Sequence, residues 1–295
     1  MNLVDINTLF PTEDKCQELL VRLRWPEGPR CLRCNGPAVE LETGKRLFYC
    51  KDCDYQFSVS SGTVFNDSHL PLAKWFLTTH LLCEAKKGMS ACQIQRTVGM
   101  SYKTAWYLCH RIRHAMAQAD KPMLDGQVEM DVTYVGGKNR NRGKAARWDN
   151  KNVVVGIRKR NGDLRFFHSK DAKSGTLAKF IRENISEDVE VMFTDDAPAN
   201  PVAMRKAGVK NHKTINHSQG SYVNGDIHTN TVESAFSLLK RGIMGSWHKI
   251  SAKHLQSYLH EMSFRFDRRN NPNLFVDTLR HMVTASVLTF QKLTA

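Results

Sequence analysis

A chain of 295 residues, 41% hydrophobic and 24% charged, has room for two or three domains and the makeup of an ordinary globular fold. Its balance is less ordinary: 43 Lys and Arg against 29 Asp and Glu give a formal charge of +14 spread along the whole length, which favours a polyanion, nucleic acid ahead of an anionic membrane surface. No run approaches 18 apolar residues, and the opening MNLVDINTLFPTEDK is acidic rather than a charged-then-apolar leader, so no membrane span is expected and the protein is placed in the cytoplasm.

Residues 1–25 form a helical lead-in, with EDKCQELLVRLRW as its helix. Residues 26–60 carry two CxxC knuckles, Cys31/Cys34 and Cys50/Cys53, with fifteen residues between them. That spacing suits a closed four-thiolate zinc site on a ribbon. The hairpin between the knuckles has a strand near 38–42, a turn at Thr43-Gly44 and a strand over 47–49. Few apolar residues lie here, so the metal would supply folding energy. The other four cysteines, Cys16, Cys83, Cys92 and Cys109, fall in helical patterns and read as small buried hydrophobes.

Over 70–120 three helical patterns follow: LAKWFLTTHLLCEAKKG, SACQIQRTVG and SYKTAWYLCHRIRHAMAQA. Ser90 and Ser101 suit N-caps, and Gly88 and Gly99 suit helix stops. A short helix, a Gly-containing turn and a longer helix bearing Tyr102, Lys103, Arg111 and Arg113 make a helix-turn-helix pattern, one shared with any small helical bundle. Beside the charge and the zinc unit it is expected to dock DNA through Lys103, Arg111 and Arg113. Trp106 in mid-helix reads as core.

The period then changes to two. QVEMDVTYVGG alternates as a strand, and KNRNRGKAARWDNK is a basic loop with six Lys or Arg. NVVVGIRKRNGDLRFFHS is a hairpin turning at Asn161-Gly162, SGTLAKFIRENI an amphipathic helix, DVEVMFTDD a strand and NPVAMRKAG a short helix. A helix from about Thr229 places Val232, Ala235, Phe236, Leu239 and Ile243 on a core stripe, with Asn230, Glu233, Ser237 and Lys240 on another face. The fold class expected is therefore an α/β catalytic core of RNase H-like type, a mixed sheet with helices, preceded by the zinc ribbon and the helix-turn-helix bundle.

In such a core the middle of the first strand and the end of the fourth lie side by side, here Asp131 and the pair Asp195-Asp196. Two carboxylates brought together repel, and a divalent cation makes the pairing favourable. Glu233 would complete a hard-oxygen site for two Mg²⁺ (or Mn²⁺) ions, and Lys240 on the same face would meet a phosphate. Glu129, on the same face as Asp131, supports the site or is simply exposed. His228 is expected either to orient a ligand or phosphate or, like Asp226, to serve as a plain loop or capping residue. Glu261 and Arg265 are spaced as a structural ion pair.

MDVTYVGGK, FTDD, HTNTVES followed by LLKRG, and KHLQSYLHEMSFRFDRR closely resemble the zinc-ribbon DDE transposases of bacterial insertion sequences, those with an ISXO-two-like catalytic domain, over about residues 15–270. A C-terminal helix is expected over 271–295; the resemblance implies a DDE catalytic domain over 125–270. It implies a metal-dependent enzyme that binds terminal inverted repeats, cuts the strands and joins 3′ ends to target DNA, working as a homo-oligomer on duplex DNA. By position the acids would be Asp131, Asp195 and Glu233, with Lys240 and Arg241 as DNA contacts. Some members of the family carry Asn at the third position, which implies Asn230, one turn before Glu233, as the alternative third ligand, although a carboxylate binds Mg²⁺ better than an amide. The alternatives are a DNA-binding regulator on a decayed transposase fold and a nuclease that cuts without joining.

Overall fold

A computed structural model describes residues 1–41, 46–119, 121–136, 151–215 and 228–295. The turn at Thr43-Gly44, nearly all of the basic loop with Trp148, and Asp226 lie outside the described residues. The chain divides into two compact units, Met1–Ala119 with Arg268–Ala295, and Asp120–Asp267.

In the first unit the lead-in is two helices, α1 (Leu3–Leu9) and α2 (Glu13–Arg24), capped by the side chains of Asn2 and Thr12. Strands β1 (Ala38–Glu40), β2 (Leu47–Cys50) and β3 (Gln56–Ser58) form an antiparallel sheet in that order. Its few apolar side chains pack on Trp25, which meets Phe48 and Phe57 edge-on, while Arg24 donates to the carbonyl of Val59 at 2.6 Å. Helices α3 (Leu72–Glu84), α4 (Ala91–Val98) and α5 (Tyr102–Ala117) follow. Ser90 and Ser101 accept the N–H groups of Gln93 and Thr104 at 3.2 Å each, and Gly99 turns out of α4 with φ +69°. Cys16, Cys83 and Cys109 are buried as expected; Cys92 is exposed, because α4 buries Ile94 and Val98 and position 92 falls outside that stripe.

The second unit is built on a five-stranded sheet. Strands β4 (Leu124–Val135), β5 (Asn152–Lys159) and β6 (Leu164–Ser169) form an antiparallel run; the β5–β6 turn closes with Gly162 N–H on the Lys159 carbonyl at 3.0 Å and Asn161 at φ +58°. Helix α6 (Ser174–Asn184) leads into β7 (Ile185–Asp195), which pairs parallel to β4; α7 (Ala199–Ala207) leads into β8 (His212–Ile215), parallel to β7. The strand order is β6-β5-β4-β7-β8. Then come α8 (Asn230–Gly242), a π-helical turn (Ile243–Trp247) and α9 (Ala252–Asp267). The fold is thus mixed α/β around a mixed sheet.

Alternation along the strands sends the two faces into separate cores. Val128, Met130, Val155, Ile157 and Met192 pack with α6 and α7 through Leu177, Ile181 and Met204. Val135, Val154, Leu164 and Phe166 pack with α8 and α9 through Val232, Phe236, Leu239 and Leu259. The edge strand β6 is covered by α9: Gln256 accepts from His168 N–H at 2.7 Å and donates to the Phe166 carbonyl at 3.1 Å, as a neighbouring strand would. Within α9, Glu261 and Arg265 form a buried ion pair at 3.1 Å.

The chain ends in the first unit with two helices rather than one, α10 (Leu274–Thr284) and α11 (Phe290–Thr294), because Ala285 leaves α10 extended and Thr289 caps a new helix. Trp106 is half-buried there, 4.5 Å between centroids from His110.

Candidate functional site

The four knuckle cysteines converge. Cys31 and Cys53 sulfurs lie 3.5 Å apart, those of Cys34 and Cys50 3.4 Å, and all four fall within 4.8 Å of one another. A tetrahedral zinc at about 2.3 Å from each sulfur sets neighbouring sulfurs about 3.8 Å apart, so the set fits the ion. Each knuckle ends in a residue at positive φ, Asn35 (+59°) and Asp54 (+54°), which curls the chain around the sulfurs. Burial works to raise the Cys31 thiol, but hydrogen bonds from the backbone of Cys34 and Arg33 and from the neighbouring thiols bring it down to about 6. Burial and the same crowding of thiols push Cys53 up to about 12, and Cys34 is also raised, the Gly36 backbone hydrogen bond that lowers it being outweighed by the Cys50 thiol and its neighbours. Among the described residues no other group of three or more His, Cys, Asp or Glu ligand atoms is gathered so closely.

The carboxylates come from three segments of the second unit. The parallel register pairs Glu129 of β4 with Phe193 of β7. Asp131 and Asp195 each stand two residues further on, so they share one face of adjacent strands. Asp131 also pairs with Gly156 of β5, and a Cβ on Gly156 would strike Val232 and Phe236, so the shared face is the one covered by α8. Glu233 is on that helix. Asp196 has the opposite parity and is exposed, whereas Asp195 is half-buried. The three carboxylates are not gathered within 4.8 Å of one another as the thiols are; two ions about 3.5–4 Å apart would span a wider set.

Each acid is held by a neighbour. Asp131 accepts the N–H of Val132 at 2.6 Å. Asp195 accepts from the buried Asn200 amide at 2.5 Å and from Ala197 N–H at 3.3 Å. Glu233 accepts the Thr229 hydroxyl at 2.7 Å. Glu129, left open by the sequence, is fully buried (0% exposed), salt-bridged to Arg160 at 2.9 Å and bonded to the start of α8. Strand alternation placed it beside Asp131; no sequence signal showed that a helix N-terminus would land on it.

The expected DNA contacts divide. Lys240 and Arg241 are exposed at the end of α8, and Lys103 is exposed at the start of α5, its ammonium 4.7 Å from the Phe290 ring centroid. Arg111 and Arg113, expected to face DNA, are instead buried, 4% and 1% exposed. The Arg111 guanidinium donates to the Asn66 carbonyl at 2.5 Å and stacks over Trp75 and Tyr107. These arginines are buried in the first unit, so of the basic residues expected to meet DNA on α5 only Lys103, at its N-terminal end, is exposed.

Residues 123–267 match the ISXO2-like transposase domain and residues 11–56 the transposase zinc-ribbon domain. The uncharacterized protein in transposable element ISH50 of Halobacterium salinarum is 31% identical over 276 residues, covering 87% of this chain and 91% of that relative. No described helix is long and apolar enough to cross a membrane.

Proposed function

The chain belongs to the ISXO2-like transposases of insertion sequences, with a zinc ribbon, and we propose that it catalyses metal-dependent cleavage of an element's DNA ends and their joining to target DNA. One observation carries the reading: Asp131 and Asp195 lie on one face of neighbouring parallel strands, each two residues past the paired Glu129 and Phe193, and that face is covered by the helix that bears Glu233. Strand order β6-β5-β4-β7-β8, with only β5 reversed against its neighbours, supports an RNase H-like core. A donor set of three carboxylates suits a hard divalent ion, Mg²⁺ or Mn²⁺, and Asp131, Asp195 and Glu233 would hold it. Bound there, such ions supply an activated water or 3′-hydroxyl and neutralise charge at the phosphate under attack. The chain's own part is to fix those carboxylates on a rigid sheet and helix and to lay Lys240 and Arg241 along the phosphodiester.

The α4–Gly99–α5 arrangement supports a helix-turn-helix that docks the terminal inverted repeat through Lys103 and neighbouring exposed groups. The zinc ribbon serves the same recognition. Joining two ends to one target calls for more than one active site, hence a homo-oligomer on DNA.

The test is strand transfer. Zinc-loaded protein is incubated with Mg²⁺, a labelled duplex ending in the flanking element's terminus and a supercoiled target. Joined product supports the proposal. Cutting without joining points to a nuclease, and binding with neither reaction points to a DNA-binding regulator.

A further inference from the structure

Buried carboxylates are costly unless fully satisfied, and Glu129 is satisfied in an unusual way. One oxygen, Oε2, accepts three donors from the first turn of α8: Thr231 N–H at 3.0 Å, Val232 N–H at 3.0 Å and the Thr231 hydroxyl at 2.6 Å. The other, Oε1, takes Arg160 Nε at 2.9 Å and lies 3.3 Å from His228 Nδ1. The helix is thus capped from a strand over 100 residues away, at the end where its dipole favours an anion. Its own N-cap residue, Thr229, makes no side-chain capping bond; its hydroxyl is turned to Glu233 Oε1.

The connections continue outward. Arg160 also donates to the His228 carbonyl at 3.0 Å, and its guanidinium sits 4.0 Å from the Phe193 ring centroid. Phe193 is two residues before Asp195, and Glu129 two before Asp131. A single buried carboxylate therefore ties together the strand of Asp131, the strand of Asp195 and the helix of Glu233.

We propose that Glu129 is a positioning residue for the divalent-ion site: capping α8 from β4, it sets the spacing between Glu233 and Asp131, although it binds no ion itself. The inference rests on the proposed metal-dependent function. It makes ion affinity depend on a group that touches neither ion nor DNA. Partners that orient metal ligands typically cost 10–100-fold in affinity when removed.

The test is Mn²⁺ binding to the full-length zinc-loaded protein without DNA, followed by electron paramagnetic resonance. Wild type is compared with Asp131→Asn, Glu129→Gln, Thr231→Val and Leu177→Ala. Thr231→Val removes one donor to Glu129 and keeps the side chain's shape. Leu177→Ala weakens the core on the opposite face of the sheet and controls for general destabilisation. The expected result is Mn²⁺ binding abolished by Asp131→Asn, weakened about tenfold by Glu129→Gln, weakened less by Thr231→Val and unchanged by Leu177→Ala. If Glu129→Gln fails to fold, Thr231→Val against Leu177→Ala still decides. Wild-type affinity in both Glu129→Gln and Thr231→Val, or equal losses in Leu177→Ala, overturns the inference. Absence of Asp131-dependent binding in wild type overturns the metal-dependent reading and this inference with it.

Discussion

Gly156 lies opposite Asp131 in the β4–β5 ladder, and a methyl group on its Cα would come within 2.7 Å of the Phe236 ring. Val232 would be 2.9 Å away. The absence of a side chain at 156 therefore lets α8 lie close on the sheet beside Asp131. Gly156→Ala is expected to cost about 1–3 kcal/mol through overpacking, read as a lowered urea midpoint. Combining it with Phe236→Leu should cost less than the sum of the two single changes, since the smaller side chain vacates the space; full additivity in that cycle would place the contact elsewhere.

Charge on helices α5 and α8 has two fates. Lys240→Ala and Arg241→Ala are each expected to weaken DNA binding across all sequences and to reduce the salt dependence of log K by about 1. Arg111→Met should leave that slope unchanged and instead destabilise the first unit, because Arg111 is spent on the Asn66 carbonyl and on the Trp75 and Tyr107 rings. Binding titrations at several salt concentrations, beside thermal melts, separate the two.

His168 and His212 carry a pH dependence. Burial holds both below the ordinary histidine range. His212 Nε2 lies 2.9 Å from the Thr194 hydroxyl, and His168 Nε2 lies 3.1 Å from Asn152 Oδ1. The unfolded chain takes up protons near pH 6.5 while the folded one resists, so the unfolded state binds more protons and stability falls as the pH drops below that value. Between pH 7.5 and 5.5 the wild-type urea midpoint should fall more than that of a His168→Gln/His212→Gln variant. An equal fall would assign the acid sensitivity to other groups.

Much of the zinc centre was legible because its signal is local. Two CxxC knuckles fix four ligands by spacing alone, and the structure brings all four sulfurs together. The sheet faces were legible too: alternation around Asp131 and the stripe from Val232 to Leu239 are the patterns seen in the two cores. Periodicity gave no warning about Arg111 and Arg113, since a cation that finds a carbonyl or aromatic rings can sit on the core side of a helix. Strand β8 is four residues with one buried side chain and carries almost no pattern. Glu129 depended on a pairing between residues 129 and 231 that no local signal encodes. The parallel register that puts Asp195, rather than Asp196, on the same face as Asp131 is likewise a long-range feature.

In the proposed reaction Asp131, Asp195 and Glu233 act as one set on the face of β4 and β7 beneath α8. That grouping is tested most directly by strand transfer in Mg²⁺ with Asp131→Asn, Asp195→Asn, Asp196→Asn and Glu233→Gln, each first shown to bind the terminal DNA as wild type does. Joining is expected to vanish in the Asp131, Asp195 and Glu233 variants and to persist in Asp196→Asn. Joining that survives loss of Asp195 but fails with Asp196→Asn, or survives loss of Glu233, would contradict the grouping.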